Sequence, residues 1–236
     1  MAHDWLTLDE LSRHLGRDRR ELERLVNRGR IPAHKRGSDW QFHSAEITEW
    51  LEQEMREYSE SQLAAFEQSP ATTGGEQSQG LLARLMPLEL MQVPLDARTR
   101  RSVLESLVET AGRTWKIWEP AAVLKAVMDR EALMSTAFDV GVAIPHPRQP
   151  LPDSLEDSVV AFGRTLSPIP FGAPNNSGTD LFFLVLCRDA RTHLQVLARV
   201  GRLIQNPRFL EELRECGDSA SARACIAEAE AAIPLG

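Results

Sequence analysis

Apolar positions recur at helical spacing in three short stretches near the start of the chain. Leu8, Leu11 and Leu15 share one face, with Thr7 or Asp9 able to cap that helix and Gly16 to end it. Leu22, Leu25 and Val26 form the inward stripe of a second helix, opened by Asp18 and closed by Gly29. Ser44 opens a third, with Ile47, Trp50 and Leu51 inward. Between the second and third, two short extended pieces flank the turn Gly37-Ser38-Asp39, which predicts a β-hairpin or wing. The pattern then lapses. Residues 59–80 read SESQLAAFEQSPATTGGEQSQG, and 17 of those 22 are Ser, Glu, Gln, Thr, Gly or Pro. Only Leu63 and Phe66 could anchor anything, too little apolar surface to offset the entropy of ordering. The stretch reads as a flexible linker, with a frayed helical continuation up to about Phe66.

Periodicity resumes beyond it. Helical spacing occurs at about 97–112, 119–130, 191–205, 207–215 and 219–232. Strand candidates are Leu90–Val93, Val142–Pro145, Val159–Gly163 and Leu181–Cys187. The last, LFFLVLC, is apolar throughout and fits a central strand buried on both faces. The expected architecture is a small α-helical winged helix-turn-helix domain over 1–57, a linker over 58–80, and an α/β sandwich over 81–236 whose mixed sheet is flanked by helices.

Composition excludes several classes. Of 236 residues, 42% are hydrophobic and 26% charged, which are globular values. No run approaches the ~18 apolar residues of a membrane span, and Met1-Ala2-His3-Asp4-Trp5 has no basic flank of a signal peptide. Cys187, Cys216 and Cys225 include no C-x-x-C pair, which favours reduced thiols, a cytoplasmic location and no metal site. His14, His34 and His43 have no acid or Cys at ligand spacing and read as surface polar residues.

The net charge of −7 conceals a local excess. From Arg13 to Arg36 there are nine Lys/Arg against three acids, a balance of +6. Arg20, Arg24 and Arg28 recur at i, i+4 and i+8, so they form one outward stripe, with Arg19 and Asn27 beside it. Such a helix suits the major groove, and Lys35 and Arg36 on the hairpin would hold phosphates. A solvated basic surface, or a protein-contact role for the same fold, competes with that reading. The run Leu25-Val26-Asn27-Arg28-Gly29-Arg30-Ile31-Pro32-Ala33, followed by Trp40-Gln41-Phe42 and Ile47-Thr48-Glu49-Trp50-Leu51, resembles the winged helix-turn-helix of excisionase and MerR-type regulators. The resemblance implies duplex DNA as a partner, and a homo-oligomer as the form able to read a useful length of it.

In the second domain, Val142-Ala143-Ile144 delivers His146 between Pro145 and Pro147, which stiffen its backbone. Alone, this fits an ordinary strand-to-loop turn. His193 follows the buried strand and is expected to begin a helix there, where free N–H groups and the dipole favour an anion. Arg148, Arg188 and Arg191 lie close to these histidines in sequence. Arg130-Glu131 with Ser135-Thr136, then Gly141-Val142-Ala143-Ile144-Pro145-His146, then Thr192-His193-Leu194-Gln195-Val196-Leu197, resemble the IIA domain of the bacterial phosphoenolpyruvate-dependent phosphotransferase system, in its mannitol/fructose and nitrogen-regulatory type. The resemblance implies that His146 takes a phosphoryl group from a histidine phosphocarrier protein, with His193 as its partner. Arg130, Ser135, Thr136 and Arg148 are the supporting residues on this reading, and no cofactor is expected. The loop Met134-Ser135-Thr136-Ala137-Phe138-Asp139-Val140-Gly141 departs from the family's glycine-rich form, Asp139 would bring like charge if it faced the phosphoryl group, and Pro147 removes a donor. The function expected is a DNA-binding transcriptional regulator that senses phosphotransferase state. The alternatives are a phosphohistidine relay with an appended targeting module, and a IIA-like docking domain that is not phosphorylated.

Overall fold

The structure, a computed structural model, describes residues 5–69 and 80–233. These fall into two compact units, divided at residues 76 and 77.

The first unit runs β1 (Trp5–Thr7), α1 (Leu8–Leu15), α2 (Arg19–Asn27), β2 (His34–Arg36), β3 (Asp39–His43), α3 (Ser44–Met55) and α4 (Glu60–Glu67). Thr7 closes a capping box with Glu10, and Gly16 ends α1 in the left-handed conformation. Asp18 accepts from the amides of Arg20 and Glu21 to start α2. Leu11, Leu22, Phe42, Ile47 and Leu51 are fully buried, so the three predicted apolar stripes meet in one core.

The wing is an antiparallel sheet in the order β1-β3-β2. Sequence periodicity missed β1 because three residues cannot display a repeat. Trp5, on this strand, is edge-on to His34 and His43 at 5.1 and 5.0 Å, with the Arg36 guanidinium 4.6 Å over its ring. His34 also meets Glu46 at 2.6 Å. Both histidines and Arg36 thus build the base of the wing. Ser44 is the first residue of α3 rather than its cap, and His43 in the cap position makes no side-chain cap bond.

The segment expected to fray is instead a capped helix. Ser59 and Gln62 form a capping box at the start of α4, Leu63 and Phe66 are buried, and Tyr58 packs edge-on to Phe66 at 6.4 Å. Two apolar anchors suffice once a cap satisfies the free amides. Most of the remaining linker expectation, residues 70–79, lies outside the described residues.

The second unit runs α5 (Leu81–Leu85), a 3-10 turn (Leu88–Leu90), β4 (Met91–Gln92), α6 (Arg100–Gly112), α7 (Pro120–Leu133), β5 (Val142–Ala143), β6 (Val159–Pro170), β7 (Gly178–Leu186), α8 (Ala190–Ile204), α9 (Pro207–Glu215) and α10 (Ser219–Ala232). The sheet is mixed, in the order β4-β6-β7-β5, with β6 antiparallel to β7 and the two short strands parallel to their neighbours. Val159, Ala161, Phe182, Leu184 and Leu186 pack with Leu104, Leu107, Val123 and Val127 of α6 and α7. The alternate positions Val160, Phe162, Leu181, Phe183 and Val185 are equally buried, so β7 is covered on both faces as its composition predicts. β6 extends past Gly163 to Pro170, with a register shift between Arg164 and Ile169. The last helix closes onto the first. Glu230 of α10 is buried and accepts from the amides of Leu82 and Ala83 at 2.8 and 3.0 Å, with Arg199 of α8 at 3.4 Å. Among the described residues no helix is long and apolar enough to cross a membrane.

Candidate functional site

The segment that presents His146 is fixed from α7 onward. Glu131, buried in the last turns of α7, accepts from the Thr136 amide at 3.1 Å and from its hydroxyl at 2.6 Å. The Thr136 carbonyl then accepts from the Ile144 amide at 3.2 Å, and Phe138 N–H donates to Val142 at 2.7 Å. The glycine-poor loop therefore folds back along β5 as a short antiparallel pairing, with a bridge at Ala137–Ala143. Its one glycine is placed where a side chain would not fit. Gly141 has φ +79°, and a Cβ there would lie 2.7 Å from an Arg214 nitrogen.

Beyond β5, the Pro145 carbonyl accepts from Val185 N–H at 2.9 Å, which ties the segment to β7 up to the residue before His146. The His146 Nδ1 lies 2.7 Å from the Ile144 carbonyl. A carbonyl only accepts, so Nδ1 carries the proton and the ring's lone pair is on Nε2. The imidazole of His193 stands 5.1 Å away, centroid to centroid, with the planes at 62°. Both rings are buried. The fold thus brings together two histidines 47 positions apart in sequence.

The helix behind His193 differs from expectation. α8 starts at Ala190, so His193 is its fourth residue, and its own N–H is spent on the Asp189 carbonyl at 3.1 Å. Asp189 caps the helix through its carboxylate, bonding the Thr192 amide and hydroxyl at 2.8 Å each. The free amides expected there are in part already satisfied, and by a negative group.

The supporting residues serve mainly the backbone. Arg130 is buried and donates to the Met134 carbonyl at 3.0 Å. Ser135 donates to the Phe171 carbonyl at 2.8 Å and accepts from Ala137 N–H. Arg148 is exposed, and Arg188 turns to the Glu156 carbonyl at 3.2 Å. Asp139 does not present a bare carboxylate, because it accepts from the Asn175 amide at 2.9 Å. Asp189 could have been read as a capping signal before Ala-Arg-Thr. Glu131 was visible only inside the resemblance, and Arg214 has no local signal at all.

In the first unit, Arg20, Arg24 and Asn27 are exposed on α2, and Arg28, expected on the same helical stripe, is exposed just past its end in the C-cap position. Lys35 lies over the Trp40 ring at 5.9 Å. Arg19 departs from expectation. It is held by Asp9 of α1 and by Glu23 at 3.1 Å, and hydrogen bonding to Glu23 first, then Asp9, raises its pKa.

The comparisons with known proteins agree with this division. A helix-turn-helix domain profile matches residues 5–55. The chain is 27% identical over 149 residues to the "PTS system fructose-specific EIIA component" of Haloferax volcanii, covering 62% of this chain and 95% of that one. It is 31% identical over 137 residues to the "Nitrogen regulatory protein" of Bradyrhizobium diazoefficiens, covering 57% and 87%. The crystal structure of the nitrogen regulatory protein IIA-Ntr from Neisseria meningitidis superposes with a TM-score of 0.57 at 25% identity, covering 62% of this chain and 99% of the other. The profile of the phosphoenolpyruvate-dependent sugar phosphotransferase system, EIIA 2, matches residues 84–229. That is more than half of the 236 residues, so the chain belongs to the EIIA 2 family, with a helix-turn-helix domain ahead of its IIA domain.

Proposed function

We propose that the protein is a cytoplasmic DNA-binding transcriptional regulator whose IIA domain accepts a phosphoryl group on His146. The observation that carries this reading is the His146–His193 pair, with the Nδ1 proton of His146 committed to the Ile144 carbonyl. In that tautomer Nε2 is the nucleophile. Its lone pair attacks the phosphorus of a phosphohistidine on the carrier protein. The carrier's P–N bond breaks, and the carrier ring keeps the electron pair. The positive charge left on the His146 ring is stabilised by the bond from Nδ1–H to Ile144. On this reading His193, 5.1 Å away ring to ring, donates to a phosphoryl oxygen, and positioning supplies most of the rate. The exposed Arg20, Arg24 and Arg28 stripe, with Lys35 on the wing, supports duplex DNA as the second partner.

The test is to incubate the full chain with a phosphoenolpyruvate-driven phosphocarrier cascade and to measure intact mass. One phosphoryl group, labile in acid and located on His146, is the expected result. An unmodified chain under conditions that label a control IIA protein sinks the reading.

A further inference from the structure

β5 spans only Val142–Ala143 and lies at the end of the sheet order, next to β7. So short a strand has few ladder bonds, and its position depends on what holds its two ends. The far end is tied by the Pro145 carbonyl to Val185. The near end is the turn from Phe138 to Gly141, closed by the Gly141 amide on the Phe138 carbonyl at 3.3 Å.

That turn is held by groups distant in sequence. Asn175 bonds Asp139 at its carboxylate and at its carbonyl, at 2.9 and 3.3 Å. The Gly141 carbonyl accepts from the amides of Asp180 and Leu181 at 3.0 and 3.2 Å. The Val140 carbonyl accepts at 2.8 Å from the guanidinium of Arg214, in the last turn of α9. The same guanidinium binds both oxygens of Asp180 on β7, at 2.8 and 3.0 Å. The Arg214 carbonyl is in turn held by Arg164 of β6. One planar fork thus fastens the turn before β5 to the start of β7.

We propose that Arg214 is a positioning residue for His146: by joining Val140 to Asp180 it sets where β5 lies, and so where the Ile144 carbonyl meets the imidazole. The path is short. Val142 and Ala143 pair with Leu181 and Phe182, and the next carbonyl, that of Ile144, takes the Nδ1 proton of His146. The peptide units between are rigid planes, so a displaced turn displaces that carbonyl. The bond that selects the ring's tautomer then weakens. In a loop with a single glycine, a side chain from α9 supplies the hold on the backbone.

The influence of Arg214 on phosphoryl transfer rests on the acceptor role proposed for His146; its influence on the ring does not. The experiment follows the His146 ring nitrogens by NMR in the full chain carrying isotope-labelled histidine. Wild type should show the Nδ1–H tautomer, and Arg214→Ala a mixture of both tautomers. Arg214→Lys, which keeps the charge without the fork, should fall between, and it carries the comparison if the alanine variant unfolds. Arg208→Ala, on the same helix and paired only at the surface with Glu212, should match wild type. With phosphorylated carrier, Arg214→Ala should lower the maximal labelling rate by roughly 10-fold, within the ~10²-fold that a 1 Å misplacement can cost. The carrier concentration giving half that rate should not change. A wild-type tautomer in both Arg214 variants, or a loss confined to the half-maximal concentration, overturns the proposal. If the ring responds as expected and wild type takes no phosphate, the acceptor reading fails instead.

Discussion

Arg19 is bound by Asp9, ten residues earlier on a different helix, so the first arginine of α2 is committed to the fold. The neighbouring stripe is not so committed, and the two kinds of arginine should separate in a binding experiment. Arg24→Ala should cost ~1–3 kcal/mol against the preferred site and relax sequence preference there. Arg19→Ala should lower unfolding stability slightly and leave base preference unchanged. Quantitative DNA binding at several salt concentrations distinguishes them, and equal loss of preference in both variants contradicts the assignment.

The histidine pair predicts unequal roles. His146→Ala should abolish phosphoryl labelling, since the proposed nucleophile is gone. His193→Ala should slow labelling by roughly 10²-fold if His193 acts as one preorganised donor. Rapid-quench labelling with phosphorylated carrier checks this. Full labelling of His146→Ala, with phosphate on another residue, refutes it.

Gly141 and Gly37 make a paired test of the loop. Both have positive φ, but a Cβ at Gly37 meets open space while one at Gly141 meets Arg214. Gly37→Ala should cost about 1 kcal/mol of backbone strain. Gly141→Ala should cost ~1–3 kcal/mol more, since the Arg214 fastening must also shift. Urea unfolding of the two variants measures the difference, and equal costs would show that Arg214 yields freely.

Tyr58 is the chain's one tyrosine, so its titration can be followed alone. Burial raises its phenol above the ordinary value of 10.0, and Arg17, which donates to its oxygen, opposes only part of that. A raised folded pKa means the associated stability is fully present below pH 10 and is lost as pH climbs through the folded value. Tyrosinate absorbance should therefore show a midpoint above 10 in the native chain and return to about 10 in denaturant. A native midpoint at or below the denatured one would disprove the burial effect.

Elements whose cause is local could be read directly. The caps at Thr7 and Asp18 and the buried run in β7 each announce themselves within a few residues. β6 was read too short because Leu166 is 81% exposed and its neighbours Ser167 and Pro168 are polar or ring-locked. The two site histidines could be placed at element ends, but not at a mutual distance. That distance depends on the parallel pairing of β5 with β7, a long-range contact. The same reason hid Arg214, whose partners Asp180 and Val140 lie 34 and 74 residues away.

The clasp of Glu230 on α5 has a bearing on how the molecule is made. The first helix of the IIA domain receives its N-terminal cap from a residue 148 positions later, six from the end of the chain. At ~5–20 residues per second, a ribosome needs on the order of 8–30 s to travel from α5 to α10. Through that interval Leu82 and Ala83 have no Glu230 to accept their amides. The hydrogen bonds named here for the winged unit, by contrast, all join residues within the first 69. A nascent chain therefore has the groups of its helix-turn-helix unit in hand while its IIA domain is still incomplete. Losing Glu230 would strip α5 of this cap and leave the winged unit's named contacts intact.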